Sequence, residues 1–368
     1  MTVVLRFTTS LNAAGPGAQV VACCLASGLD RSILLTSDAQ TWDDVPVDAS
    51  IDLRRIPVSP SISRFDLDRH SAARLLSLLD DEEVSVVETH NLKAAIVTSV
   101  AMKRNPNRLR AVHCFHTAFP WGSRVASTLS ARFAILRTKA FARCFDVLVA
   151  GSDAIRDQLL SLGVGTHSRW VIIPMEATAL PGPVPRRYRG ALRKRIRLPE
   201  GAVVLASFAR INGRTDFKVL IDLAKRLDPS LHIAIVGEAH RASDIRDCAE
   251  RAGVTDQIHI VGWWADLPWV TQEADIVIVS SESGLDGAPL RETALGGTPL
   301  VAVTRYSFPE LFEVPHFEAV DSAAEVLSVL AGDESCRTQL GRTLRLRAVG
   351  KLSNPGIALL DDLERSLM

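Results

Sequence analysis

The sequence has no excess of charge of either sign and little aromatic content. Its 42 lysines and arginines equal its 42 aspartates and glutamates, and aromatic residues make up 5% of the 368 residues. A neutral chain has no global field that would draw it to nucleic acid or to a membrane surface. Any charged ligand must therefore be recognised by a local cluster of side chains.

Long apolar runs and paired cysteines are also missing. No run approaches the roughly 18 residues of a membrane-spanning helix, and Met1 leads into a strand-like VVLRF without the apolar core of a signal peptide. The six cysteines show no C-x-x-C spacing and lie mostly in apolar segments, which predicts reduced core thiols. We expect a cytoplasmic protein, with peripheral contact to the inner face of the membrane as the alternative.

Two common nucleotide-binding motifs are absent. There is no G-x-x-x-x-G-K-[ST] loop, and the loop after the first strand, with Gly15 and Gly17, has Val20 where a dinucleotide fold would place its third glycine. A nicotinamide-dependent enzyme is therefore disfavoured. The small residues of this loop still let the backbone approach a ligand closely.

Short apolar runs alternate with longer helical patterns along the whole chain, which predicts parallel sheets covered on both faces. The length allows two such domains. Prolines and then basic residues without an acid fill residues 174–197, where we place the linker; the basic residues indicate either a solvated helix face or an anionic contact surface. The predicted strands are Val3–Phe7, Ser32–Leu35, Val84–Val87, Arg110–His113 and Val147–Ala150, then Val203–Phe208, His232–Val236, Ile258–Val261, Ile276–Val279 and Leu300–Val303.

Residues 271–303 are the most informative segment, because they combine a buried strand, a polar loop with glycine, a helix and a second strand. Pro289 suits the first helical position, and Glu292 then lies in the first turn, next to free amides that suit a phosphate or a ribose. A plain crossover would need the same strand and helix but not Asp286, Arg291 and Glu292 together around the helix start. The segment therefore predicts a nucleotide site.

Other polar residues follow predicted strands, at the sheet edge where ligands bind in parallel α/β folds. His90, His113 and His116 suit an acid, a base or a hydrogen-bond donor as well as a structural role. No carboxylate or cysteine stands at metal-ligand spacing around them, so we expect no metal site. In the second half, two predicted strands end in a glycine and one of these is followed by a tryptophan, an arrangement that suits a flat base. A third predicted strand is followed by cations, which suit phosphate oxygens. These residues are Gly237, Gly262 and Trp263, and Arg210, Arg214 and Lys218.

Two further segments read as amphipathic helices. Residues 353–368 carry an apolar stripe that must dock on a domain. Basic and apolar residues interleave in residues 132–143, which fits either an interfacial helix that reaches a lipid-linked acceptor or a core helix with a charged outer face.

The order of motifs along the chain resembles the retaining, two-domain GT-B glycosyltransferases of family 4. These motifs are VVETHNLKAA, AVHCFHTAF, FDVLVAGSDAIRDQLLSLGV and WVIIP, then strand-R-x(8)-V-L-I, I-V-G-E, V-G-W, A-D-I-V-I-V-S-S and R-E-T-A-L-G-G-T-P-L-V-A. The resemblance implies an α/β fold of two Rossmann-like, doubly wound domains that face each other across a cleft. Residues 1–180 would bind the acceptor, residues 181–352 would bind a nucleotide sugar, and residues 353–368 would return to the N-terminal domain.

The resemblance also implies roles for individual residues. Arg210 would bind the donor phosphates, Glu292 would hold the ribose hydroxyls and His116 would lie near the transferred sugar. Gly15 would approach the donor from the N-terminal domain, and the segments at Gly237 and Gly262–Trp263 would surround the base.

Three positions depart from the family pattern, one of which is Met175–Glu176 in place of the usual asparagine-glycine turn after the strand at Ile172. Thr215 replaces a lysine, so Arg214 or Lys218 would have to supply that positive charge. Gly284 replaces a glutamate, so Glu282 or Asp286 would have to reach the donor sugar.

The resemblance thus implies a hexosyltransferase that acts with retention of configuration and without a metal ion or other cofactor. It would move a sugar from a UDP- or GDP-linked donor to a hydroxyl of a glycan, a glycolipid or a natural product. Its catalytic residues would be His116, Arg210 and Asp286. The alternatives are a sugar-nucleotide epimerase of the same fold, a non-catalytic nucleotide-sugar-binding partner subunit and, more distantly, a solute-binding protein.

Overall fold

The computed structural model describes most of the chain. The residues described are 2–9, 16–38, 51–58, 65–104, 109–116, 129–173, 184, 186, 188–208, 216–237, 242–262, 264, 267–280, 288–303, 314–351 and 356–367. By their internal contacts they divide into two compact units. Unit 1 comprises Met1–Thr178 with Asn354–Met368, and unit 2 comprises Ala179–Ser353. Each unit holds a parallel sheet with helices, which confirms the predicted α/β class.

Unit 1 is built on a parallel sheet with the strand order β3-β2-β1-β4-β5-β6-β7. Its strands are β1 Val3–Phe7, β2 Arg31–Ser37, β3 Asp52–Ile56, β4 Val86–Thr89, β5 Arg110–Phe115, β6 Val147–Ala150 and β7 Trp170–Ile172. Its helices are α1 Pro16–Ala26, α2 Phe65–Asp81, α3 Leu92–Met102, α4 Leu129–Ala142, α5 Asp153–Ser161 and, from the C-terminal segment, α13 Gly356–Ser366.

The two faces of this sheet bury different sets of side chains, because successive residues of a strand point to opposite sides. Leu5 and Val87 pack on one face with residues of α2 and α3. Val4 and Val86 pack on the other face with Leu360 of α13. The side chains at positions of the same parity as Val4 and Val86 therefore lie on the face that α13 covers.

Unit 2 has a parallel sheet with the strand order β10-β9-β8-β11-β12-β13. Its strands are β8 Val204–Phe208, β9 His232–Val236, β10 Ile258–Gly262, β11 Ile276–Val279, β12 Leu300–Val303 and β13 His316–Phe317. Its helices are α6 Ala191–Arg195, α7 Asp216–Ala224, α8 Ala242–Ala252, α9 Leu267–Glu273, α10 Ala288–Gly296, α11 Val320–Gly332 and α12 Glu334–Lys351. Strand residues such as Leu205, Ile233 and Ile276 form its core with α7, α8 and α11.

The basic segment assigned to the linker is in part an integral piece of unit 2. Arg193 donates hydrogen bonds to the carbonyl oxygens of Ala202 and Glu273, at 3.0 and 2.8 Å, and to the carboxylate of Asp275 at 2.5 Å. Arg195 lies over the ring of Trp264, 5.0 Å from its centre. Arg193 therefore has a structural role in unit 2, whereas the exposed Lys194 and Arg195 fit the predicted solvated helix face.

Three further features bear on the predictions made from the sequence: the state of the cysteines, the bounds of the strands and the length of the helices. All six cysteines are free thiols, as expected. Strands β3 and β13 were not predicted, β7 was expected only as the motif WVIIP of the family resemblance, and β4 begins two residues later than the predicted Val84–Val87. None of the helices within the described ranges is long and apolar enough to cross a membrane.

Candidate active site

Each sheet has one pair of neighbouring strands from which the chain leaves in opposite directions. In unit 1 these are β1 and β4, and in unit 2 they are β8 and β11. Ligands of open α/β sheets bind outside the carboxyl ends of the strands at such switch points. We therefore expect a ligand site among the residues just after these four strands.

In unit 2, the two predicted strand-end glycines lie next to each other. The amide of Gly237 donates a hydrogen bond of 3.0 Å to the carbonyl of Gly262. Their φ angles are +138° and +81°, a region in which residues with a Cβ are strained. The structure thus brings bare backbone to the carboxyl end of β9 and β10, as the sequence predicted.

Lys218 and Glu292 follow the two switch-point strands of unit 2. Lys218 lies in the first turn of α7, after β8, and is exposed. Glu292 lies in α10, after β11, and only 1% of its surface is exposed. Helix α10 begins at Ala288, one residue earlier than predicted, so Glu292 is its fifth residue instead of lying in the first turn. Ser280, directly after β11, is a buried hydroxyl at the same edge that the sequence had not singled out.

Several predicted site residues lie outside the described parts of the chain. They are Gly15, Arg210, Arg214, Trp263, Glu282 and Asp286, together with the three departures from the family pattern, Met175–Glu176, Thr215 and Gly284.

In unit 1, the switch point is filled by a buried ion cluster that the sequence did not predict. Strand register places Arg6 of β1 beside Glu88 of β4, and Arg6 Nε lies 2.8 Å from Glu88 Oε2. From α13, Glu364 accepts a hydrogen bond of 2.8 Å from Arg6 Nη2, and Asp361 lies 3.4 Å from the same nitrogen. Ser32 accepts a hydrogen bond of 2.6 Å from Arg6 Nη1.

Two histidines extend this cluster to the carboxyl edge of the sheet. His90 Nε2 lies 2.7 Å from Glu88 Oε1, a short contact although the ring N–H is not aligned with the oxygen. His90 Nδ1 lies 2.9 Å from Nε2 of His116, which directly follows β5. The two rings are nearly parallel, with centres 5.1 Å apart. Glu88, His90 and His116 thus form a continuous chain of side chains.

The charges in this cluster are unequal. Burial opposes ionisation of Glu88, but the interactions of its carboxylate with His90 and Arg6 outweigh burial and hold the pKa of Glu88 below its usual value. Burial raises the pKa of Glu364 well above its usual value, and Glu88 adds to this rise. Burial also lowers the pKa of His116 well below its usual value. At neutral pH we therefore assign an ionised Glu88 and a neutral His116.

His113 belongs to a different environment, although it lies between the other two histidines in sequence. Its ring packs edge-on against Phe115 and Phe141, with centres 4.3 and 5.3 Å away, and its Nδ1 lies 2.8 Å from Thr89 Oγ1. Burial lowers the pKa of His113 to about 3. The structure therefore separates His113 from the pair formed by His90 and His116 and gives it a structural role.

The donor atoms of Glu88, His90 and Cys114 lie within 4.8 Å of one another, which is compatible with a metal ion. The sequence argument that no carboxylate or cysteine stands at ligand spacing around the histidines was therefore wrong. Glu88 lies two residues before His90 at the end of β4, and the pairing of β4 with β5 brings Cys114 beside them. Two features oppose a bound cation: Arg6 already lies 2.8 Å from Glu88, and burial raises the pKa of the Cys114 thiol.

Each of the two roles predicted for residues 132–143 describes only one part of helix α4. Phe141 is buried in the core of unit 1, whereas Phe133 and Leu136 are 54% and 62% exposed. Arg132 and Arg143 are exposed as well. One end of the segment is thus a core helix, and the other presents apolar and basic side chains to the surface.

Two family descriptions match the chain and together cover most of it. "Glycosyl transferase 4-like domain" matches residues 2–176, and "Glycosyl transferases group 1" matches residues 189–317. The chain belongs to the group 1 glycosyltransferases. The residues that the second description matches lie within unit 2.

Individual relatives agree with this assignment. The lipopolysaccharide core biosynthesis glycosyltransferase LpsE of Rhizobium meliloti is 25% identical over 225 residues, which are 59% of this chain and 63%, less than two thirds, of the relative. The crystal structure of Anabaena Alr3699/HepE in complex with UDP and glucose matches 100% of both chains, with 17% identity and a TM-score of 0.76. WaaG, a glycosyltransferase involved in lipopolysaccharide biosynthesis, matches 100% of this chain and 99% of its own, with 15% identity and a TM-score of 0.67. The two structures establish the GT-B fold.

Proposed function

We propose that this glycosyltransferase transfers a hexose, with retention of configuration, from a nucleoside diphosphate sugar to a hydroxyl of a glycan or glycolipid. The observation that carries the proposal is Glu292, a carboxylate buried in the helix that follows switch-point strand β11. A buried carboxylate at a nucleotide site suits the two hydroxyls of a ribose. UDP and a UDP-sugar are the ligands named for the Anabaena relative, so UDP-linked donors are the first to test.

In this proposal the leaving diphosphate is stabilised by the protein's own cations. Fixed positive charges lower the barrier because the leaving group gains negative charge in the transition state. Lys218 stands in the first turn of the helix after β8, and the resemblance assigns Arg210 and Arg214 to the preceding loop. Activity that persists in a chelator is expected, and a loss that Mg²⁺ restores would contradict this part of the proposal.

The proposal is tested by the variant Glu292→Gln. The neutral amide loses the charged hydrogen bonds to ribose, each worth about 1.5–3 kcal/mol, so we expect UDP affinity to fall by about ten- to a hundredfold. Glu273→Gln is the control, because Glu273 ends α9 at the opposite edge of the same sheet, where it accepts a hydrogen bond from the Gly190 amide. Binding is measured by calorimetry, and equal affinity in both variants would refute the site.

The anomeric configuration of the product, measured by NMR, tests retention. A sugar-nucleotide epimerase would isomerise the donor without an acceptor, and a non-catalytic partner subunit would bind the donor without turnover. Incubation with the nucleotide sugar alone and then with acceptor separates these three outcomes.

Peripheral membrane contact is part of the proposal, because a glycolipid acceptor lies in a membrane. The exposed Phe133 and Leu136 of α4, flanked by Arg132 and Arg137, are suited to an anionic surface. Unchanged cosedimentation of Phe133→Ser with anionic vesicles would contradict this contact.

A further inference from the structure

A groove of about 460 Å³ lies at the amino-terminal edge of the unit 2 sheet. Its lining includes Asp275 and Pro299, which directly precede β11 and β12, and Gly297, which directly follows α10. Because the strands are parallel, this edge is opposite to the carboxyl edge that holds Gly237 and Gly262. The described residues of the lining all belong to unit 2. Sites for small ligands have volumes of this order.

Helix α12 forms one wall of the groove because its backbone packs closely on the end of α10. A Cβ added to Gly341 would overlap the carbonyl oxygen of Gly297, so a glycine is needed for this approach. A Cβ added to Gly297 would lie 3.7 Å from Arg345 Cδ, which places the stem of Arg345 beside the end of α10. The residues of α12 that line the groove are Glu334, Arg337, Thr338, Arg342 and Arg345.

The described lining of the groove has an excess of positive charge. One of its two carboxylates, Asp275, is already neutralised, since it accepts hydrogen bonds from Arg193 at 2.5 Å and from the Val204 amide at 2.7 Å. The other, Glu334, remains against three arginines. These are Arg337, Arg342 and Arg345.

The three arginines differ in what they bind. Arg337 Nη1 donates hydrogen bonds of 2.8 and 2.7 Å to the carbonyl oxygens of Leu330 and Ala331, and so satisfies the end of α11. Arg342 and Arg345 are exposed, and within the described ranges neither forms a hydrogen bond or an ion pair. They are three residues apart on one face of the helix, where like charges repel. An anion held between them would relieve this repulsion.

The sequence of α12 is unusual for a solvated helix of this unit. After Glu334 it has no acidic residue, whereas Arg337, Arg342, Arg345, Arg347 and Lys351 are basic. The surface helix α8, ASDIRDCAERA, mixes three acidic residues with two arginines. The positive charges of α12 are thus left without local compensation on the helix that lines the groove.

We propose that the groove between α10 and α12 binds a phosphate-bearing ligand, with the guanidinium groups of Arg342 and Arg345 donating hydrogen bonds to its phosphate oxygens. The site is separate from the donor site of the proposed function and does not depend on it. The phosphate has two possible sources, a soluble phosphorylated molecule and a lipid headgroup. Leu346, which is 66% exposed and follows Arg345, would contact the apolar part of a lipid.

The competing role for these arginines is to stabilise the end of α10, because cations are favoured at the C-terminal end of a helix. The two roles differ in what the double variant Arg342→Gln with Arg345→Gln loses. A binding site predicts lower affinity for phosphate. A capping role predicts a lower melting temperature with unchanged affinity, and that result would overturn the proposal.

Binding of inorganic pyrophosphate to the full chain is measured by calorimetry at physiological ionic strength. Loss of one charged hydrogen bond corresponds to about tenfold in affinity, so we expect the double variant to bind at the groove at least about tenfold more weakly. The control is Arg246→Gln with Arg251→Gln, which removes the same charge from exposed positions of α8. Equal loss in the two double variants would show a general charge effect and overturn the proposal.

NMR of the arginine side-chain Nε–H groups locates the bound anion. The signals of Arg342 and Arg345 are assigned by their loss in each single variant, and both should shift with one common saturation curve as pyrophosphate is added. Pyrophosphate that shifts neither signal would refute the site. If the donor site also binds pyrophosphate, the Arg342 and Arg345 double variant retains one binding event, and if the proposed function fails it retains none.

Vesicles separate the two sources of phosphate. Cosedimentation is compared on phosphatidylcholine vesicles with and without phosphatidic acid. Retention of the wild type and the α8 control by phosphatidic acid, with loss of the groove variant, assigns the site to a lipid headgroup. Pyrophosphate binding without any dependence of cosedimentation on Arg342 and Arg345 assigns it to a soluble ligand.

Discussion

The two units share one architecture but furnish their switch points in different ways. Between β1 and β4, unit 1 buries a network of charged and ionisable side chains, in which Arg6 and Glu88 are both fully inaccessible. In unit 2, Glu292 is a buried carboxylate in the helix after switch-point strand β11, and glycines with positive φ lie at the carboxyl ends of the neighbouring β9 and β10.

This difference bears on the kind of ligand that each sheet edge suits. A flat base or a diphosphate is recognised well by bare backbone and helix starts, which need no side chain in the way. The edge of unit 2 therefore suits the donor of the proposed function, whereas ionisable side chains occupy the switch point of unit 1.

The largest expected effect comes from removing the buried cation of unit 1. Arg6→Met leaves the buried Glu88 without its cationic partner, so we expect the free energy of unfolding to fall by about 3–5 kcal/mol. Arg193→Met in unit 2 removes a partly exposed ion pair with Asp275, and we expect the free energy of unfolding to fall by about 1–2 kcal/mol. Urea denaturation followed by hydrogen exchange in each unit measures both.

The double variant Arg6→Met with Glu88→Gln provides the internal check on this comparison. It should recover part of the lost stability, because the unpaired carboxylate is gone. Equal losses for Arg6→Met and Arg193→Met would show that the two units do not differ in this way.

The second-largest expected effect is a greater loss of stability at low pH in unit 1 than in unit 2. Burial lowers the pKa of His113 to about 3, far below the ordinary value of 6.5. A depressed histidine pKa gives stability that is complete above pH 6.5 and is lost as the pH falls from there toward 3, by up to about 1.4 kcal/mol per pH unit. Glu364 titrates in the opposite sense, since its raised pKa gives stability that is lost as the pH rises.

The pH slope of unit 1 in the wild type should therefore exceed that in His113→Phe, which has no proton to take up at this position. Thermal unfolding at pH 7.5, 6.5 and 5.5 gives both slopes. Identical slopes would rule out His113 as the source of acid sensitivity.

The smallest effect concerns the backbone of unit 2. An added Cβ at Gly262 would meet no atom within 4 Å, so the cost of Gly262→Ala is that of its φ of +81° alone, about 1–2 kcal/mol. Gly253→Ala is a matched control, with a φ of +71° and equally open space at the end of α8. Both variants should melt earlier, but only Gly262→Ala should also weaken UDP binding in a thermal-shift titration. Equal UDP affinity in the two would separate Gly262 from the site.

Most of the fold was predictable because buried parallel strands carry continuous apolar runs. Strand β3 was missed since its sequence, DLRRI, is polar, as suits the edge of a sheet where side chains reach solvent. Strand β13 was missed because two residues, His316–Phe317, make too short a pattern. The packing of α13 was expected from the family resemblance, and its ion pairs were not.

The candidate site was predictable only where a single segment carries it. Glu292 follows from the strand, loop and helix around it, whereas Arg6 and Glu88 are ordinary residues within strands. Alternation along β4 and β5 would have placed Glu88 with His90 and Cys114 with His116. Their meeting depends on the pairing of strands that are far apart in sequence, and no local pattern encodes it.

The carboxylates that reach Arg6 from α13 have a consequence for the order of folding during synthesis. Arg6 is made first, and Asp361 and Glu364 follow some 350 residues later. All residues of unit 2 are therefore synthesised before α13, whose Leu360 packs on the face of the unit 1 sheet with Val4 and Val86. Helix α13 is thus the last element that can pack on this sheet. A nascent chain that ended before α13 would leave this apolar face of unit 1 exposed to solvent.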